Sequence, residues 1–180
     1  DGNAVLFLTD RYGMRSHASW GSLNDVMLVF MNKDAYDKFR LSKEDYELQK
    51  ELEKEQKKNA EKADADKKKG KKEDDKKADK KEEKKDIDVQ LDGIEDRIVR
   101  ITPNSSEIAD AIVDADGESL YYLSAFEEGY DLWKLDLRKK STECLKKLDT
   151  SSAQFDVQKD GKCIFILGSR IMQKLTVASD

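Results

Sequence analysis

The chain has 180 residues, with 34 Lys and Arg against 39 Asp and Glu, for a net charge of −5. That balance gives no global basic field, so nucleic acid is not an expected partner. No apolar run approaches the roughly 20 residues that span a bilayer and no signal-like segment opens the chain, which argues against membrane insertion.

Three Asp-Gly sites punctuate the sequence: DGNAVLFLTD from Asp1, DGESLYYLSA from Asp116 and DGKCIFILGS from Asp160. Each is followed by two residues, a mostly apolar run of four, and a small or polar residue. Val5, Leu120 and Ile164 fall in register, as do Leu8, Leu123 and Leu167. Asp116 and Asp160 lie 44 residues apart, a spacing that suits propeller blades of four antiparallel strands. The start at Asp1, without Met, reads as a processed or excised piece.

In chain order, AVLFLT (4–9) and DVMLVFM (25–31) read as strands, forming the end part of a first blade over residues 1–31. An insertion follows over 32–86. Ser42 and Asp45 resemble a capping pair, predicting a helix from about Ser42 that frays into the charged run, with a thin apolar stripe of Leu41, Tyr46, Leu48 and Leu52. Tyr36 and Phe39 are expected to anchor its approach to the sheet. From Lys50 to Asp86 Lys alternates with acids in short blocks, without aromatic or β-branched residues, and the expectation is a solvated, disordered run. IDVQL (87–91) suggests a short extra strand, and RIVRIT (97–102) closes the first blade, so that 87–102 are its return strands.

Residues 103–148 read as a complete blade: an inner strand at 108–113, the Asp116-Gly117 turn, strands at 119–124 and 131–137 around a polar loop containing Gly129, and TECLKKL (142–148). Ala109, Ala111 and Val113 on one face suit a crowded inner strand. Residues 149–180 start the next blade, with AQFDV (153–157) first and IMQKLTV (171–177) last. The fold expected is therefore mainly β, with antiparallel propeller-type blades forming a partial propeller, one inserted helix and a disordered charged segment.

The segments LTDRYGMRSHASWGSLNDV, DAYDKFRLSKEDYEL and IEDRIVRITPNSSEIADAIVDADGESLYYLSAFEEGYDLWKLDLR, in that order, resemble the β-propeller region of bacterial tricorn-like serine proteases. The resemblance implies a propeller that precedes PDZ and peptidase domains and helps guide unfolded peptides to a catalytic chamber. It also implies partners in the remaining blades and those domains, in peptide substrates, and in homo-oligomers of the longer protein. Bacterial relatives point to the periplasm, with the cytoplasm as the alternative.

No catalytic residue is expected in this chain, because a serine nucleophile needs a positioned base and an oxyanion hole and the sole histidine, His17, has no matching motif around it. No cofactor is expected. His17 lacks spaced metal-ligand partners, and Cys144 and Cys163 fit neither a zinc spacing nor a disulfide framework, reading as small strand residues. Arg11, Arg15, His17 and Trp20 are candidate peptide contacts, offering cations and an aromatic face. The plainer reading is that Trp20 closes the sheet and Arg11 or Arg15 pairs with Asp10 or Asp25. Tyr121, Tyr122, Tyr130 and Trp133 are expected to pack. A self-contained β module for protein–protein binding is the alternative function.

Overall fold

The computed structural model describes residues 2–17, 21–68, 87–114, 116–158 and 162–176. Their strands form three antiparallel meanders. In the first sheet β1 (Ala4–Thr9) pairs with β2 (Asp25–Phe30), which pairs with β3 (Ile98–Arg100). In the second, β4 (Glu107–Val113), β5 (Ser119–Glu127), β6 (Gly129–Asp136) and β7 (Ser141–Thr150) lie in chain order. In the third, β8 (Ala153–Val157), β9 (Cys163–Gly168) and β10 (Met172–Thr176) do the same.

The stacking of these sheets explains the apolar runs. On β5 the alternation of a strand sends Leu120 and Tyr122 to one face and Tyr121 and Leu123 to the other. Leu120 and Tyr122 join Val26, Ile108 and Leu135 in a core facing the first sheet. Tyr121 and Leu123 join Leu132, Phe155, Ile164 and Ile166 in a second core facing the third sheet. The second sheet is thus covered on both faces, and a strand so placed needs a continuous apolar run. Each such side chain contributes about 1.5–3 kcal/mol by leaving water. The outward face of the third sheet stays open, with Phe165 and Leu167 exposed and Met172 alongside.

The turn opening β5 is organised by Asp114. Its carboxylate accepts from the N–H groups of Glu118 and Ser119 at 3.0 and 3.2 Å, while Gly117 adopts φ 70°. The corresponding turn at Asp160-Gly161 lies outside the described residues, as does Asp1 of the first copy. Gly129 belongs to β6 rather than to a polar loop, because β5 runs on to Glu127 and the two strands meet in a tight bulged hairpin. A Cβ at Gly129 would lie 2.9 Å from backbone atoms of Asp149 and Thr150.

Two helices fill the insertion. α1 (Lys33–Arg40) is capped by the Asn32 side chain, which accepts from the Ala35 N–H at 2.8 Å. Tyr36 and Phe39 pack their rings on Phe30 at 5.7 and 4.9 Å between centroids, anchoring the helix to the first sheet as expected. α2 (Lys43–Lys68) starts at Ser42, whose hydroxyl accepts from the Asp45 N–H at 3.1 Å.

The charged run departs from the sequence expectation: it is helical through Lys68, and residues 69–86 lie outside the described residues. Lack of burial does not by itself prevent a helix. Lys, Glu, Gln and Ala are strong helix formers without any core to pack on, and no Gly or Pro interrupts them before Gly70.

Residues 87–91 form no strand. The edge of β2 that IDVQL would join is occupied by β3, whose Arg100, Val99 and Ile98 lie opposite Met27, Leu28 and Val29. One backbone bond, from Gln90 N–H to the Met31 carbonyl at 2.8 Å, marks the approach. Arg97, in the 3-10 turn before β3 and buried, donates to the carbonyls of Phe30, Gln90, Asp92 and Gly93, satisfying this irregular backbone.

Candidate functional site

The loop between β1 and β2 is folded on itself. Gly13 N–H donates to the Asp10 carbonyl at 3.1 Å and Leu23 N–H to the Met14 carbonyl at 3.0 Å, and Arg15 bridges Ser22 in antiparallel fashion. Gly13 is required sterically, since a Cβ there would sit 1.7 Å from the Leu23 carbonyl oxygen. Asp10 accepts the Ser22 hydroxyl at 2.9 Å and faces the Arg15 guanidinium at 3.8 Å. Arg11 turns to the Tyr12 ring at 5.7 Å. His17 is exposed at the end of the described part of the loop, and Trp20 lies outside the described residues. The loop therefore gathers Asp10, Arg15 and Ser22.

Asp25, at the end of this loop, is fully buried and pairs with neither Arg11 nor Arg15. Its Oδ1 accepts from Arg100 Nε at 3.0 Å and from the Thr102 hydroxyl at 2.9 Å, and its Oδ2 accepts the Ser105 hydroxyl at 2.9 Å. Arg100 reaches Asp25 because the β2–β3 register sets it opposite Met27. Beside this cluster Asn24 and Ser106 exchange backbone bonds at 2.8 and 3.0 Å, and the Ser106 and Ser124 hydroxyls meet at 2.7 Å. The polar cluster thus ties the crossover from the first sheet to the second. The Asp25 carboxylate lies 75 to 80 residues before the Arg100, Thr102 and Ser105 groups that bond it, so no local motif marks the cluster.

The aromatic residues of the second sheet pack, as expected for Tyr121 and Tyr122, which are buried. Burial pushes the Tyr122 phenol up to about 12. Burial, together with the hydrogen bond from its hydroxyl to Glu107 at 2.9 Å, also raises Tyr130. Trp133 meets Phe126 edge-on at 5.0 Å, and its indole N–H is buried without a partner among the described residues. Cys144 and Cys163 are free thiols on β7 and β9. Partial desolvation and the Asp131 carboxylate push the Cys144 thiol up, so it is no reactive thiolate at neutral pH. Among the described residues no three His, Cys, Asp or Glu side chains gather as a metal-binding group.

A cleft of about 650 Å³ lies between the α1–α2 elbow, β3 with the segment after it, and the turn from β6 to β7. Its apolar lining includes Leu41, Val99, Ile101 and Leu137, and its cations are Arg40, Lys43, Arg100, Arg138 and Lys140. Asp136 is the one carboxylate among the described lining residues. Burial would raise it, but the N–H groups of Lys139 and Arg138 and the Lys139 ammonium hold it below the usual range.

Arg138 is fixed by donating to the Phe39 carbonyl at 2.7 Å and by stacking on Tyr46, 3.8 Å from the ring centre. With Lys50 bonded to Glu118, it fastens the helices to the second sheet. Lys140 is held in the turn at φ 54°. Sequence reading missed this cleft because its walls come from residues a hundred positions apart.

Comparison with protein-family models, curated proteins and solved structures finds no match to this chain.

Proposed function

We propose that these residues form a noncatalytic stretch of a β-propeller in a tricorn-like serine peptidase, acting as scaffold or guiding unfolded peptides toward a separate catalytic domain. The observation that carries this reading is the stacking of consecutive meanders. β4 and β8, which open the second and third sheets, lie side by side, with the Phe155 N–H donating to Asp110 Oδ2 at 3.4 Å. The middle sheet is covered on both faces while Phe165 and Leu167 leave the outer face of the third sheet apolar and open. In a propeller each blade is covered by its neighbours in this way, and the open face is where the next blade would pack.

On this reading the 180-residue chain has no peptidase activity, whereas the longer gene product containing it does. Both are compared at equal molar concentration for cleavage of a fluorogenic peptide and for labelling by a serine-reactive phosphonate. Cleavage and labelling confined to the longer protein are the expected result. Cleavage by the purified chain, abolished by changing His17 or one serine, would overturn it.

A further inference from the structure

We infer that the cleft at the α1–α2 elbow binds an acidic peptide segment that also carries apolar side chains. The chain as a whole is acidic, yet this cleft presents five cations against one carboxylate among its described residues. Two of those cations are already committed: Arg100 to the buried Asp25 at 2.8 Å, and Lys43 loosely to Glu47 at 3.7 Å. Asp136 is satisfied within its own turn by Lys139 at 3.6 Å.

That leaves Arg40 and Lys140 uncommitted, with Arg138 engaged by the Phe39 carbonyl and the Tyr46 ring, and among the described residues none of these three makes an ion pair. The Arg40 guanidinium rests near the Tyr36 ring at 5.5 Å, and the Arg138 charge is held over Tyr46 without a counter-ion. Cations gathered along one cleft attract an anion more strongly than the same charges spread over a surface.

The lining selects among anions. Leu41, Val99, Ile101 and Leu137 line the same cleft as the cations. A small inorganic oxyanion would satisfy the cations and leave the apolar lining wetted. An extended peptide satisfies both, with carboxylates on the Arg and Lys groups and apolar side chains against the aliphatic lining. The volume, about 650 Å³, lies within the range of ligand pockets and accommodates a few residues.

The inference adds a peptide chemistry to the proposed guiding role but stands on the cleft itself, and it is tested on the 180-residue chain alone. A fluorescein-labelled peptide of alternating Glu and Leu is titrated by anisotropy, beside one with Gln for Glu and one with Gly for Leu. The Glu/Leu peptide is expected to bind at least tenfold more tightly than either counterpart. The double variant Arg40→Glu with Lys140→Glu should lose at least tenfold, with an unchanged far-ultraviolet circular dichroism spectrum. The milder Arg40→Gln with Lys140→Gln, at exposed side chains, should lose about threefold.

Equal binding of the Gln/Leu peptide, equal binding of the Glu/Gly peptide, or unchanged binding by both folded variants would each overturn the inference. Peptide binding here together with an inactive longer protein would leave the cleft standing and remove the peptidase reading. An active longer protein together with no peptide binding would do the reverse.

Discussion

Replacing Asp25 tests how the first two sheets are joined. Its carboxylate collects bonds from Arg100, Thr102 and Ser105, all of them donors. Asp25→Ala leaves the Arg100 charge without its partner and the buried Thr102 hydroxyl without this acceptor. Breaking a buried pair costs about 3–5 kcal/mol. The Arg100 side chain is 36% exposed and regains some water, which lowers the expected loss to about 2–3 kcal/mol. Asp25→Asn should cost nearly as much despite its similar shape, because the amide turns an N–H group toward hydroxyl and guanidinium donors.

Urea unfolding followed by tryptophan fluorescence reads both variants, and a cycle with Arg100→Ala should return a coupling of about 1–3 kcal/mol. The Arg100→Ala and Asp25→Ala losses should therefore fail to add. A loss below about 0.5 kcal/mol for either Asp25 variant would refute the view that this cluster bears on the fold, since that is the range of ordinary surface substitutions.

Leu132→Ala, in the fully buried core between the second and third sheets, should destabilise by about 2–5 kcal/mol in the same urea assay. Gly13→Ala drives a Cβ into the Leu23 carbonyl oxygen, so amide exchange at Leu23, which bonds to the Met14 carbonyl, should accelerate at least tenfold. Tyr122 supplies a pH test. Its pKa is 10.0 when unperturbed and about 12 in the folded chain, so its contribution is complete below pH 10 and is lost as pH rises toward 12. The loss is on the order of 2–3 kcal/mol, and Tyr122→Phe should flatten stability across that window. Arg138→Ala should raise amide exchange across α1 and the start of α2, while Arg138→Lys recovers little, because an ammonium does not reproduce the stacked guanidinium on Tyr46.

Much of the strand content was legible because half-buried strands write an alternating pattern into the chain. AQFDV alternates as predicted, with Ala153 and Phe155 buried and Gln154 and Asp156 exposed. Ser42 and Asp45 marked the start of α2 through a local bond that sequence spacing alone determines. The extension of α2 to Lys68 was hidden because helix propensity acts without burial, and the charged run has no apolar pattern to mark it. IDVQL carried a strand pattern but lacked a vacant edge, and edge occupancy is a property of the assembled sheet. Asp25 was visible as an ion-pair candidate, yet its partner Arg100 follows only from the β2–β3 register. The cleft was illegible for the same reason at greater range: Arg40, Arg100 and Lys140 meet only after the insertion has docked across two sheets.

The central claim is that the three meanders are successive blades of a larger propeller. It is tested most directly by a cryo-electron microscopy structure of the full gene product that carries these residues. The account predicts that β4 and β8 line a common axis and that the Phe165 and Leu167 face is covered by a further four-stranded sheet. A structure in which that face stays open, or in which the sheets close on one another without a central axis, would contradict it.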